Sequence, residues 1–138
     1  IDLGSKRIGV ATSDRSGTIA TPLTVLKRSG SRETDYQAIA ELVTEYEIEC
    51  VVVGLPLHMN GNYGDAAKSA VAEVQQLTSV LSVPVLTFDE RRTTVTADNI
   101  LIEQNMNAQE RRKVIDKVAA AVMLQSWLDG RKMTESNS

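Results

Sequence analysis

The sequence lacks the residues that staple a fold or anchor it in a membrane. It has a single cysteine, Cys50 in the apolar run "IECVVVG", so no internal disulfide can form and a reducing cytoplasm is the expected setting. Packing is the role that context gives it. No apolar stretch approaches the length of a membrane span, the densest being "VAAAVML", and the N-terminus lacks the layout of a signal peptide. A membrane is therefore not among the expected partners. Neither charge sign dominates: 15 Lys and Arg stand against 18 Asp and Glu, for a net charge of -3. A global field that would draw the molecule onto a polyanion is excluded, and any such contact must come from local clusters. Internal repeats are absent, and low complexity is confined to the polar tail "TESNS".

What is present fits one domain, since 138 residues can bury one ordinary core. The chain opens inside what reads as a strand end, "IDLG", and the natural protein is expected to begin a few residues earlier. "RIGVATSD" and "TIATPLTVLKR", rich in β-branched residues and parted by the turn-forming "RSG", predict an antiparallel pair after that strand. Tyr36, Ile39, Val43 and Tyr46 recur at helical spacing, so a helix is predicted over 33–47 with Ser31 as its cap. "IECVVVGL" reads as a strand buried on both faces. The loop "PLHMNGNYG" leads to a helix over 65–82, then "VPVLTF" gives a fifth strand. Helical segments are predicted over 94–104 and 108–129, the second opening on "NAQE", a capping box with Asn107 as cap. The order predicts a mixed α/β layer in place of a doubly wound one.

Three carboxylates sit in awkward places. Asp2 lies between apolar residues in the first strand, Glu90 follows the fifth, and Asp116 shares a helix face with Ala119, Ala120 and Met123. An Asp packs poorly in a strand and is costly to bury unpaired. If the first and fifth strands flank the fourth and the last helix crosses them, the three converge. Their repulsion would then call for a cation, for which Mg²⁺ with its hard oxygen ligands is the natural choice. Salt bridges are the competing account: Asp2 with Lys6 or Arg7, Glu90 with Arg91 or Arg92, Asp116 with Arg112 or Lys113.

Basic residues cluster at Lys6-Arg7, Lys27-Arg28, Arg91-Arg92 and Arg111-Arg112-Lys113. Each is either a solvated face or a contact for phosphates. His58, the only histidine, is either a proton shuttle or an exposed loop residue. Gly54, Gly61 and Gly64 match neither the Walker nor the dinucleotide pattern.

The stretches "IDLGSKRIGVATSD", "VVVGLPLHMNG", "FDERRTT" and "KVIDKVAAAVMLQSWLD", in this order, resemble the YqgF (RuvX) family of bacterial ribonuclease H-like proteins. The resemblance runs from Ile1 to about Asp129. It implies one ribonuclease H-like domain over 1–138, with 130–138 a disordered tail and a five-stranded mixed sheet flanked by helices. It further implies a nuclease of 5′-end maturation of pre-16S rRNA, or a Holliday junction resolvase on branched DNA. The family's acidic triad maps onto Asp2, Glu90 and Asp116, which would hold Mg²⁺ or Mn²⁺. Lys6, Arg7, Arg91, Arg92, Arg111, Arg112 and Lys113 would then position the nucleic-acid backbone, in a monomer or weak homodimer. This chain departs from the family pattern at His58, Asn62 and Arg92, none of them in the triad. Two rival readings are a nucleotide-hydrolysing domain of the actin and sugar-kinase type, which needs a second domain, and a non-catalytic nucleic-acid-binding module.

Overall fold

The computed structural model describes residues 1–93 and 107–136, with the side chains of 108, 109, 111–113 and 132–136 outside the description. The helix predicted over 94–104 falls outside the described residues. Strand β1 (Asp2–Leu3) pairs antiparallel with β2 (Arg7–Ser13), which pairs antiparallel with β3 (Ala20–Lys27). Asp14 closes the β2–β3 hairpin by accepting hydrogen bonds from the backbone N–H groups of Thr18 (2.7 Å) and Ile19 (3.1 Å). Gly17 supplies the left-handed turn residue, with φ of +67°, a conformation that costs glycine nothing.

Helix α1 (Arg32–Glu45) starts on Ser31, whose side chain accepts from the Thr34 N–H as the sequence predicted. It buries Tyr36, Ile39 and Val43. Strand β4 (Val51–Leu55) is buried at every residue, as its continuous apolar run requires. Helix α2 (Asp65–Val80) returns the chain to β5 (Val85–Asp89), which lies parallel to β4 and is half exposed at the edge. A 3₁₀ turn over Glu90–Arg92 follows. The last helix, α3 (Ala108–Ser136), opens on the predicted capping box: Asn107 Oδ1 accepts from the Glu110 N–H at 2.8 Å, and Glu110 reaches back to the Asn107 N–H. Its backbone stays helical past Asp129 to Ser136, through most of the tail expected to be disordered. No proline interrupts that stretch, and a helix already nucleated adds residues at little cost.

The five expected strands are present, but as two ladders, one of three antiparallel strands and one of two parallel strands. The reason is the shortness of β1. Only Ile1 reaches β4, through Ile1 N to Val52 O at 2.7 Å and Gly54 N to Ile1 O at 3.2 Å. That is the hydrogen-bond pattern of a parallel pair, and it sets the spatial order β3-β2-β1-β4-β5. Side chains alternate across the strands. Ile8 and Val10 of β2 join Tyr36, Ile39, Val43, Val53 and Leu77 in a core beneath α1 and α2, while Gly9 faces α3. Among the described residues no helix is long and apolar enough to cross a membrane.

Candidate active site

The three carboxylates come from β1, the 3₁₀ turn after β5 and the first part of α3, and two glycines let Asp116 and Glu90 each approach Asp2. Asp2 is the cross-strand partner of Gly9. A Cβ on Gly9 would stand 2.1 Å from the Asp116 carbonyl oxygen, so only glycine lets α3 lie against β2 at the turn that carries Asp116. Gly54 does the same on the other side. Its N–H donates to Ile1 O, next to Asp2, and a Cβ there would stand 2.6 Å from Glu90 Oε1. Asp2 thus has Asp116 behind one glycine and Glu90 beside another.

The electrostatics report the same proximity. Burial raises the Asp2 pKa above the ordinary aspartate value, the Ile1 amino group pulls it partly back, and Asp116 pushes it further up. Burial also raises that of Glu90, with Asp2 and then Asp89 adding to the effect. Carboxylates placed this way repel one another and resist ionisation. Perturbed acids of this kind collect at functional sites.

The competing salt-bridge account holds for one of the three. Asp116 Oδ2 accepts from Arg7 Nε, a partner on β2, while the side chains of the expected partners Arg112 and Lys113 lie outside the described residues. Among the described residues Asp2 and Glu90 have no ion pair. Arg91 turns its guanidinium onto Asp89 and reaches the Met59 carbonyl at 3.3 Å, leaving Glu90 alone. The donor set fits Mg²⁺ or Mn²⁺ in kind, because carboxylate oxygens are the ligands those ions take. Its arrangement falls short: among the described residues no group of three or more His, Cys, Asp and Glu is placed to hold a metal ion, and Asp116 is paired with Arg7.

The predicted backbone-contact residues divide. Lys6 is exposed on the β1–β2 turn and Arg92 on the 3₁₀ turn, both available, whereas Arg7 and Arg91 are engaged with carboxylates. Arg111, Arg112 and Lys113 lie on the helical backbone of α3, but their side chains are outside the described residues. His58 is exposed, and its ring lies over Gly64 where a Cβ would meet Nε2 at 2.3 Å.

Sequence reasoning missed a second polar cluster that positions the site. Glu73 of α2 is only 4% exposed and accepts from Arg28 Nη1 (2.7 Å), Arg28 Nη2 (2.9 Å) and Tyr36 Oη (2.8 Å). The Arg28 Nε donates to the Gly4 carbonyl at 2.7 Å. This network ties α1, α2 and the end of β3 to the turn that carries Lys6 and Arg7. It also missed Gly9, although a lone glycine inside an alternating strand signals close backbone approach.

Comparison with known proteins follows the same line. Residues 1–130 match the RuvX family, described as Holliday junction resolvase. A protein of Caldanaerobacter subterraneus subsp. tengcongensis is 47% identical over 133 residues, covering 96% of this chain and 95% of that one. A protein of Thermoanaerobacter pseudethanolicus is 44% identical over 133 residues, with the same coverage of 96% and 95%. Both are named provisionally as pre-16S rRNA nucleases. Among solved structures, Thermus thermophilus RuvC in complex with a Holliday junction substrate superposes with a TM-score of 0.57 at 16% identity, covering 95% of this chain and 92% of RuvC. That likeness shows a shared ribonuclease H-like fold. With a full-length family match and relatives above 40% identity, the chain belongs to the RuvX family of nucleases.

Proposed function

We propose that this protein is a divalent-metal-dependent endonuclease that hydrolyses phosphodiester bonds in structured RNA, acting in 5′-end maturation of pre-16S rRNA. The observation that carries the reading is the approach of Glu90 to Asp2, both held half-buried and outside any ion pair among the described residues, with Asp116 on the other side of Asp2. Folding sets such carboxylates against their own repulsion, and a bound cation would relieve it. Asp2, Glu90 and Asp116 would hold Mg²⁺ or Mn²⁺, with Asp116 exchanging Arg7 for the ion. The bound metal would supply an activated water and stabilise the leaving oxygen. Arg7, once free of Asp116, joins Lys6, Arg91, Arg92 and the Arg111 to Lys113 cluster in positioning the phosphate backbone without reading its sequence.

The description of the family supports a second substrate, branched DNA. A four-way junction has two-fold symmetry and needs paired sites in a symmetric dimer. The deciding experiment is Mg²⁺- and Mn²⁺-dependent cleavage of a small-subunit rRNA precursor, single-stranded DNA and a four-way junction by the wild type and Asp116→Asn. Cleavage of the RNA alone, lost in a folded Asp116→Asn protein, is the expected outcome. Junction cleavage by a dimer would transfer the reading to resolution. Undiminished cleavage by Asp116→Asn, or no metal-dependent cleavage of any substrate, would overturn it.

A further inference from the structure

Beside the acidic site, on the side of Arg7, lies an open groove of about 1400 Å³, and besides Lys6 and Arg7 its walls carry cations that the catalytic reading does not use. Lys6 of the β1–β2 turn, Lys27 of β3, Arg32 of α1 and Lys117 of α3 line it, together with Arg7 and Arg28. Among the described residues the carboxylates lining it are Asp35 and Glu73. Glu73 is taken up by Arg28 and Tyr36, and Asp35 accepts from the Ser29 N–H. Among the described residues Lys6, Lys27, Arg32 and Lys117 have no ion pair. In a chain of net charge -3, four uncommitted cations from four elements surround one groove.

Two of these cations are placed against local preference. Lys27 is the direct cross-strand partner of Arg7, and like charges in that register destabilise a sheet. Arg32 occupies the first turn of α1, immediately after its Ser31 cap, where the helix dipole disfavours a positive charge. Asp116 offsets Arg7 and the acidic Glu33 and Asp35 share the first turn with Arg32, while Lys27 has no such partner among the described residues. An anion running through the groove would supply one.

We infer that the groove is a phosphate track for a single strand of nucleic acid, gripped by Lys6, Lys27, Arg32 and Lys117 and delivered to the acidic site past Arg7. The inference deepens the nuclease reading by assigning the strand entering the site as unpaired. A positively charged groove that tracks one backbone is the arrangement by which proteins hold unpaired nucleic acid. Arg28, locked to Glu73 and to the Gly4 carbonyl, holds the wall in shape.

The test is fluorescence anisotropy in EDTA, with a labelled 15-nucleotide single-stranded RNA and its duplex, across a NaCl series. It compares the wild type, Lys27→Glu/Arg32→Glu, and the charge-matched control Arg15→Glu/Lys68→Glu; all four substituted residues are exposed. The groove variant is expected to bind the single strand at least tenfold more weakly than the control, with a salt slope shallower by about 1.4 for two lost contacts at roughly 0.7 each. Lys27→Arg/Arg32→Lys should bind like the wild type. Equal binding by the groove variant and the control, or duplex binding as tight as single-strand binding and equally impaired, overturns the inference. Cleavage is scored separately with metal present. A weakened groove variant alongside an inactive wild type would sink the nuclease reading and leave the track standing. Active cleavage with unimpaired binding by the groove variant would do the reverse.

Discussion

Replacing Glu73 by Gln tests whether the Arg28–Glu73–Tyr36 cluster holds the scaffold of the site. Gln keeps the shape but loses the charge, and it presents an NH₂ group to a guanidinium that has nothing to accept it. Breaking a buried ion pair by removing one partner costs about 3 to 5 kcal/mol. The Arg28 side chain keeps 15% exposure against 5% for Glu73, so water reaches it and the lower end, about 3 kcal/mol, applies. At roughly 3 °C per kcal/mol for a chain of this size, Tm should fall by about 10 °C. With a urea m-value of about 2 kcal/mol/M, the unfolding midpoint should drop by about 1.5 M. Tyr36→Phe removes one hydrogen bond and should cost only about 1 kcal/mol. The double variant should lose less than the sum of the two, because both changes act through the same carboxylate. Urea unfolding of the four proteins measures all of this. A loss below about 1 kcal/mol for Glu73→Gln is the behaviour of a surface bridge and would refute the reasoning.

Gly9→Ala should destabilise by about 3 kcal/mol or more, the upper end of overpacking, because the new Cβ meets a backbone oxygen of α3 at 2.1 Å that no rotamer change can relieve; thermal unfolding checks it. Asp2→Asn and Glu90→Gln should each raise Tm at neutral pH without metal, since each removes a half-buried carboxylate whose charge the fold disfavours; an unchanged or lower Tm would count against the cluster. The pH dependence has two signs. Asp2 and Glu90 have raised folded values, so the native state binds their protons more tightly than the unfolded chain does, and stability should increase as pH falls from neutrality toward those values. For Glu73, burial raises the value, but hydrogen bonds from Arg28 and Tyr36 outweigh it and the net shift is downward. The stability Glu73 contributes is therefore full above the ordinary 4.5 and lost as pH falls through the lower folded value. In pH-dependent urea unfolding the Asp2→Asn variant is expected to lose part of the contribution that lowering the pH toward the raised carboxylate values makes to wild-type stability.

The local elements were legible because each depends on near neighbours. The Ser31 cap, the Asn107–Glu110 capping box, the hairpin turn at Arg15–Gly17 and the fully apolar β4 all follow from spacing and side-chain chemistry within a few residues. The three acids of the candidate site were legible too, because a carboxylate in an apolar strand or on a packed helix face is anomalous wherever it occurs. Their partners were not. That Asp116 faces Arg7, and that Arg91 faces Asp89 in preference to Glu90, depends on side-chain reach across elements far apart in the chain.

Tertiary structure alone decided how close the acids come and what surrounds them. Gly9 and Gly54 read locally as weak points of strands; only the packing of α3 on β2, and of Glu90 against β4, turns them into the contacts that assemble the site. Likewise, Lys27 reads as half of a basic pair that is either a solvated face or a phosphate contact, Arg32 belongs to no cluster in the sequence, and the fold places both with Lys6 and Lys117 around one groove. The division has a physical basis: capping, turns and hydrophobic periodicity act over a few residues of backbone geometry, whereas charge pairing and close approach depend on distances that exist only once strands and helices have packed.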